Sequence, residues 1–146
     1  SGRIFIEPFD DWHTIAGQGT IGLEMLDDLP NAVAIVAPVG GGGLIAGVAL
    51  AVEGRGARAT VIGVEAEGAA CLVWALDQGV PEPMPVPPRT QIADGIKVSR
   101  IGVRPFHPRF VEALTILEDT ASAYLTDQLT LDESMDQARE QLADLE

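Results

Sequence analysis

The sequence predicts an α/β domain, a three-layer sandwich in which a mostly parallel sheet carries helices on both faces. Three observations predict it. Short, nearly continuous apolar runs rich in β-branched residues occur at Val33–Val39 and Thr60–Glu65. Each is followed by a segment of helical character, Leu44–Glu53 and Gly68–Gln78. Between the first run and its helix stand four consecutive glycines, Gly40–Gly43. Apolar runs without alternation suit strands covered on both sides, and strands alternating with helices suit a parallel sheet. A length of 146 residues fits one domain, and 47% hydrophobic residues supply a core.

In chain order, Arg3–Ile6 reads as a short strand and Glu7–Asp11 as a turn, with Asp11 placed to cap the next helix. That helix runs from Trp12 to about Leu29 and is broken at Pro30-Asn31. The strand Val33–Val39, the glycines and the helix Leu44–Glu53 follow, the helix ending in a Gly54-Arg55-Gly56 cap. After the strand Thr60–Glu65, the helix Gly68–Gln78 stops at Gly79. Five prolines make Pro81–Arg89 an extended connection. Asp94-Gly95 reads as a tight turn. Pro108–Leu117 suits a helix with proline at its first position, and Ala121–Leu125 a strand. Thr130-Leu131-Asp132-Glu133 is a capping box that opens a final helix to about Leu145.

Charge and cysteine usage narrow the function. Acidic residues number 22 against 9 basic, a net charge of -13, which disfavours nucleic acid and anionic membranes as partners. One cysteine, Cys71, permits no intrachain disulfide and fits a reducing cytoplasm. No run approaches about 18 apolar residues, and the N-terminus lacks a signal-peptide pattern. His13 and His107 lack the spacing of a zinc site. Cys71 lies in an apolar helical segment and reads as a small core residue.

The glycines carry the chemistry. Successive backbone N–H groups leading into a helix N-terminus form a concavity suited to a phosphate. A flexible turn is the simpler reading of Gly40–Gly43, but connections of this kind are short and rarely need four glycines. Gly17-Gln18-Gly19-Thr20-Ile21-Gly22 matches the dinucleotide pattern G-x-G-x-x-G. It does not directly follow a strand, and no acid stands about 20 residues on. Close approach of a helix to a neighbouring backbone is the better account. Glu65, at the carboxyl end of a strand, either shapes a site or binds a cation, or is a solvated acid.

Several segments occur together in order: Phe9-Asp10-Asp11, Ala16–Glu24, Pro38–Leu44, Gly63-Val64-Glu65 and Ala93-Asp94-Gly95-Ile96. With them the chain resembles the fold type II pyridoxal-phosphate enzymes, in the threonine dehydratase and serine racemase group. The resemblance implies pyridoxal 5'-phosphate as cofactor, its phosphate held by Gly40, Gly41, Gly42 and Gly43, with Leu44 beginning the helix. It implies that Asp94 and Gly95 border the cofactor ring. In racemase-like members an acid at the place of Glu65 helps bind a divalent cation. The second carboxylate of that site would fall near Cys71, which is no hard oxygen ligand.

The resemblance also implies a lysine that carries the cofactor, in a segment ahead of the part represented here. Lys97 is the only lysine and does not match that position; it reads as a charged surface residue. The loop receiving the substrate carboxylate and the group facing the pyridine nitrogen likewise have no counterpart. Residues 1–146 are therefore expected to be one partial domain, the C-terminal part of a catalytic domain. The implied parent activity is a threonine/serine dehydratase, releasing a 2-oxo acid and ammonia from a small hydroxy amino acid. A serine racemase-like enzyme, or a phosphate-binding module without catalysis, is the alternative. The implied partners are a further copy of the chain or a missing lysine-bearing half.

Overall fold

The computed structural model describes residues 2–91, 93–106 and 114–117, the last group as backbone. Helix α1 spans Trp12–Asp28. The Asp11 carboxylate accepts from the His13 and Thr14 N–H groups at 2.9 and 3.2 Å, and those bonds hold its pKa below the ordinary value, the Thr14 bond most strongly. Its buried residues Ile15, Gly19, Gly22 and Leu26 recur at helical spacing, so one stripe faces inward.

Strand β1 (Ala34–Pro38) leads through the glycines into α2 (Gly43–Arg55). Helix α2 is buried on nearly every side, as its Gly, Ala, Val and Ile content requires. Gly56, at φ 58°, ends it in the left-handed conformation that glycine adopts without strain. Helices α1 and α2 touch backbone to backbone. A Cβ on Gly19 would lie 2.8 Å from the Gly47 carbonyl oxygen, and one on Gly22 would lie 3.2 Å from Val48 Cα. The close-approach reading of this glycine pattern holds for Gly19 and Gly22, whereas Gly17 faces open space.

Strand β2 (Thr60–Val64) pairs in parallel with β1, Ala34 opposite Thr60 and Pro38 opposite Val64. A Val39 N–H to Val64 carbonyl bond of 2.8 Å carries the ladder one residue further, to the threshold of the glycines. Strand β3 (Leu114–Leu117) pairs in parallel with β2, giving the order β1-β2-β3. Ile35, Ala37 and Val39 are buried, whereas Val36 on the opposite side of β1 is 60% exposed. The core joins these residues to Ile45, Val48, Val61, Leu72 and Ile101.

Three expectations need correction. Residues 114–117 are strand rather than the end of a helix begun at Pro108: pairing with β2 outweighs the local pattern. Arg3–Ile6 forms no strand, and Ile4, Phe5 and Ile6 are all exposed. The helix expected from Gly68 starts later. A 3₁₀ turn at Glu67–Ala69 precedes α3 (Cys71–Gln78), which Gly79 ends at φ 71°. The extended Pro81–Arg89 segment is as expected, and its last N–H is tied to the Gly68 carbonyl at 2.7 Å. The expected strand Ala121–Leu125, the final helix to Leu145 and His107 lie outside the described residues.

Candidate functional site

The end of β1 and the start of α2 are joined by Gly40, Gly41 and Gly42, and Gly43 begins the helix. The carbonyls of this loop are tied to the protein. Gly40 O accepts from the Cys71 thiol at 3.1 Å, Gly41 O from the Gly102 N–H at 3.0 Å, and Gly42 O from the Ala46 N–H at 3.0 Å. In a trans peptide the C=O of one residue and the N–H of the next point in opposite directions, and no peptide here is cis. Fixing these three carbonyls therefore turns the N–H groups of Gly41, Gly42 and Gly43 the other way.

Among the described residues those N–H groups have no protein acceptor. Among the described residues none of the amides from Gly40 to Ile45 donates a hydrogen bond, and α2 has no side-chain cap. Gly41, Gly42, Gly43 and Ile45 are buried. Buried backbone N–H groups are nearly always paired, so a run of donors without partners among the described residues is available to an acceptor. The positive end of the α2 dipole adds to it, and the arrangement can hold an anion.

Packing behind the loop explains why each position is glycine. A Cβ on Gly40 would lie 3.0 Å from Ile96 Cα; on Gly41 it would fall within the ring of Phe9. On Gly42 it would lie 2.7 Å from Pro105 Cβ, and on Gly43 2.8 Å from Phe9 Cα. Gly42 also has φ 89°, a left-handed conformation costly for other residues. The loop is thus clamped between Phe9, Ile96 and the Ile101–Pro105 segment.

The structure brings Ile96, the neighbour of Asp94 and Gly95 in sequence, against the loop. The three form a 3₁₀ turn, Asp94–Ile96, whose last residue abuts Gly40. Asp94 is exposed and faces Lys97, Nζ to Oδ1 3.6 Å. Lys97 shares an open cleft of about 430 Å³ with Phe9, Pro88, Val98, Ser99 and Arg100. Phe9, Asp10 and Asp11 have three separate tasks. Phe9 covers Gly41, Asp10 accepts from the Arg104 N–H at 2.9 Å, and Asp11 caps α1. The Arg104 guanidinium also donates to the Asp10 carbonyl at 2.6 Å, fastening the clamp across the loop.

Glu65, read from the sequence as a site-shaping, cation-binding or solvated acid, is engaged by the start of α3. Its carboxylate is buried and accepts from the Leu72 and Val73 N–H groups at 2.9 and 3.0 Å, filling the role of a cap for α3. Burial raises its pKa; the N–H bonds only partly offset this. The neighbouring Cys71 thiol is pushed up to about 12 by burial and by the Glu65 charge. Among the described residues no three His, Cys, Asp or Glu side chains gather as a metal site.

The Glu65 shift predicts a pH dependence. With the folded pKa raised above the ordinary 4.5, stability contributed by the protonated acid is fully present below pH 4.5. It is lost as pH rises through the folded pKa. Melting temperatures of wild type and Glu65→Gln should therefore diverge in the variant's favour as pH climbs from 4.5. Parallel curves would contradict the assignment.

The family model for the pyridoxal-phosphate dependent enzyme matches residues 1–132. The chain belongs to this family. It is 40% identical over 129 residues to the L-threonine ammonia-lyase of Thermotoga maritima, covering 86% of this chain and 32% of that enzyme. The processed threonine deaminase isoform 2 of Solanum lycopersicum superposes with a TM-score of 0.70 at 36% identity, covering 90% of this chain and 38% of that one. Maize serine racemase also reaches 0.70, at 29% identity, with coverages of 91% and 43%. The chain thus spans about a third of the length of the Thermotoga relative.

Several residues around the glycine loop escape a reading of the sequence. Phe9, Cys71 and the Gly102–Arg104 segment reach the glycines from 31 or more residues away, and no local pattern marks them. The ordered Phe9-Asp10-Asp11 segment was the one available signal.

Proposed function

We propose that this chain supplies the phosphate-gripping part of a pyridoxal 5'-phosphate-dependent threonine/serine ammonia-lyase. One observation carries the reading: among the described residues, the glycine loop spends its carbonyls on the protein and leaves its N–H groups without acceptors. A dianionic phosphate ester fits that donor set, because it offers acceptor oxygens to several N–H groups at once and complements the helix dipole. Gly40, Gly41, Gly42, Gly43 and Leu44 would hold the phosphate, and the Asp94-Gly95 turn would border the ring. When bound, the cofactor supplies an electron sink for the α-carbon of the amino acid.

The residues of this chain bind and orient; they do not move the proton. The exposure of Lys97 and its pairing with Asp94 support a surface role rather than that of the cofactor-bearing lysine. That lysine would come from a segment beyond these 146 residues, in the same polypeptide or in a partner, with residues 1–146 as one partial domain. Self-association belongs to the same proposal. A divalent cation at Glu65 has less support, since the carboxylate serves α3 and the thiol beside it stays protonated. None of the described helices is long and apolar enough to cross a membrane. A sole cysteine that is buried and free suits the cytoplasm.

The activity test uses threonine. The 146-residue chain with added cofactor should release no 2-oxobutanoate, whereas the native gene product, or its assembly with a lysine-bearing partner, should. Robust turnover by the chain alone would overturn the assignment. The likeness to maize serine racemase favours a second reading. D-serine formed from L-serine in preference to keto acid by the native product would select it.

A further inference from the structure

We propose that Cys71 is a positioning residue for the glycine loop: its thiol holds the Gly40 carbonyl and so aims the Gly41 N–H at the phosphate. The inference rests on the phosphate reading above and adds the device that sets the donor's direction.

Cys71 is the first residue of α3 and is 0% exposed. Its Sγ lies 3.1 Å from Gly40 O, which has no other donor among the described residues. The thiol also faces the Glu65 carboxylate, which in turn holds the next two N–H groups of α3. A continuous link therefore runs from the end of β2 through Glu65 and the α3 N-terminus to Cys71 and the loop. Because the Gly40–Gly41 peptide is trans, holding its oxygen at Cys71 leaves its N–H directed to the opposite side. Glycine on both sides of that peptide makes rotation easy, so the thiol supplies the restraint that side chains would otherwise give. With its pKa near 12 the thiol stays a donor throughout the physiological range. Loss of this donor would leave a half-buried carbonyl unpaired and free the peptide to turn.

The test compares Cys71→Ala, which removes the donor, with Cys71→Ser, which keeps one. Calorimetric titration with inorganic phosphate reads affinity, and ¹⁵N-labelled glycine reads the Gly41 amide. Cys71→Ala should weaken phosphate binding about tenfold, and Cys71→Ser by no more than about twofold. The phosphate-induced shift at Gly41 should collapse in Cys71→Ala, while Ile45, labelled separately in the first turn of α2, should still respond. If Cys71→Ala is unstable, Cys71→Thr and Cys71→Val repeat the comparison at nearly equal volume. Equal affinity in the donor and non-donor variants overturns the positioning role and leaves the phosphate cradle standing. A wild type whose glycine amides ignore phosphate overturns both.

Discussion

Gly47→Ala is expected to destabilise the chain by about 2 kcal/mol or more, against the normal gain of alanine over glycine in a helix of about 1 kcal/mol. The new Cβ would fall on the Ile15 carbonyl oxygen and lie 2.6 Å from Gly19 N, so the obstacle is backbone. Neither helix can yield by turning a side chain. Helices α1 and α2 would have to part, opening the stripe that buries Ile15 and Ala46. Gly54 stands in the same helix with nothing within 4 Å of its missing Cβ. Gly54→Ala should therefore stabilise by up to about 1 kcal/mol. Denaturant midpoints of the two variants should move in opposite directions. Equal shifts would show that the backbone contact between α1 and α2 is absent.

Gly41→Ala is expected to cost about 1–3 kcal/mol of stability and most of the phosphate affinity. Here the obstacle is the ring of Phe9, a half-buried side chain that can swing out. The ring would leave the back of the loop, and the Gly41 carbonyl would lose its alignment with Gly102 N–H. Phe9→Ala removes the obstacle. The double variant should therefore lose less than the sum of the two single variants. Strict additivity, read from denaturant midpoints and phosphate titration, would contradict the contact.

How far the sequence discloses this molecule depends on the range of each interaction. The Asp11 cap, the helix after the glycines and the stops at Gly56 and Gly79 are local, and their residues announce them. The pairing of Leu114–Leu117 with β2 spans about fifty residues of chain, and it turns a segment with helical features into strand. The glycine loop is legible as the joint between a strand and a helix, but not the reason for glycine at each position. That reason is a wall made by Phe9, Ile96 and Pro105, contributed from both sides of the loop in sequence. Glu65 stood out as a strand-end acid; its work at the α3 N-terminus depends on the turn at Glu67–Ala69 that brings the helix back over it.

The central claim is that the Gly40–Gly43 amides grip a phosphate ester. A ¹⁵N-glycine-labelled chain titrated with pyridoxine 5'-phosphate, and in parallel with pyridoxine, tests it most directly, since neither compound has an aldehyde to react with Lys97. The account predicts that the amide signals of Gly40 to Gly43 move with the phosphate ester and stay in place with pyridoxine. Signals that ignore both compounds, or follow both alike, would contradict it.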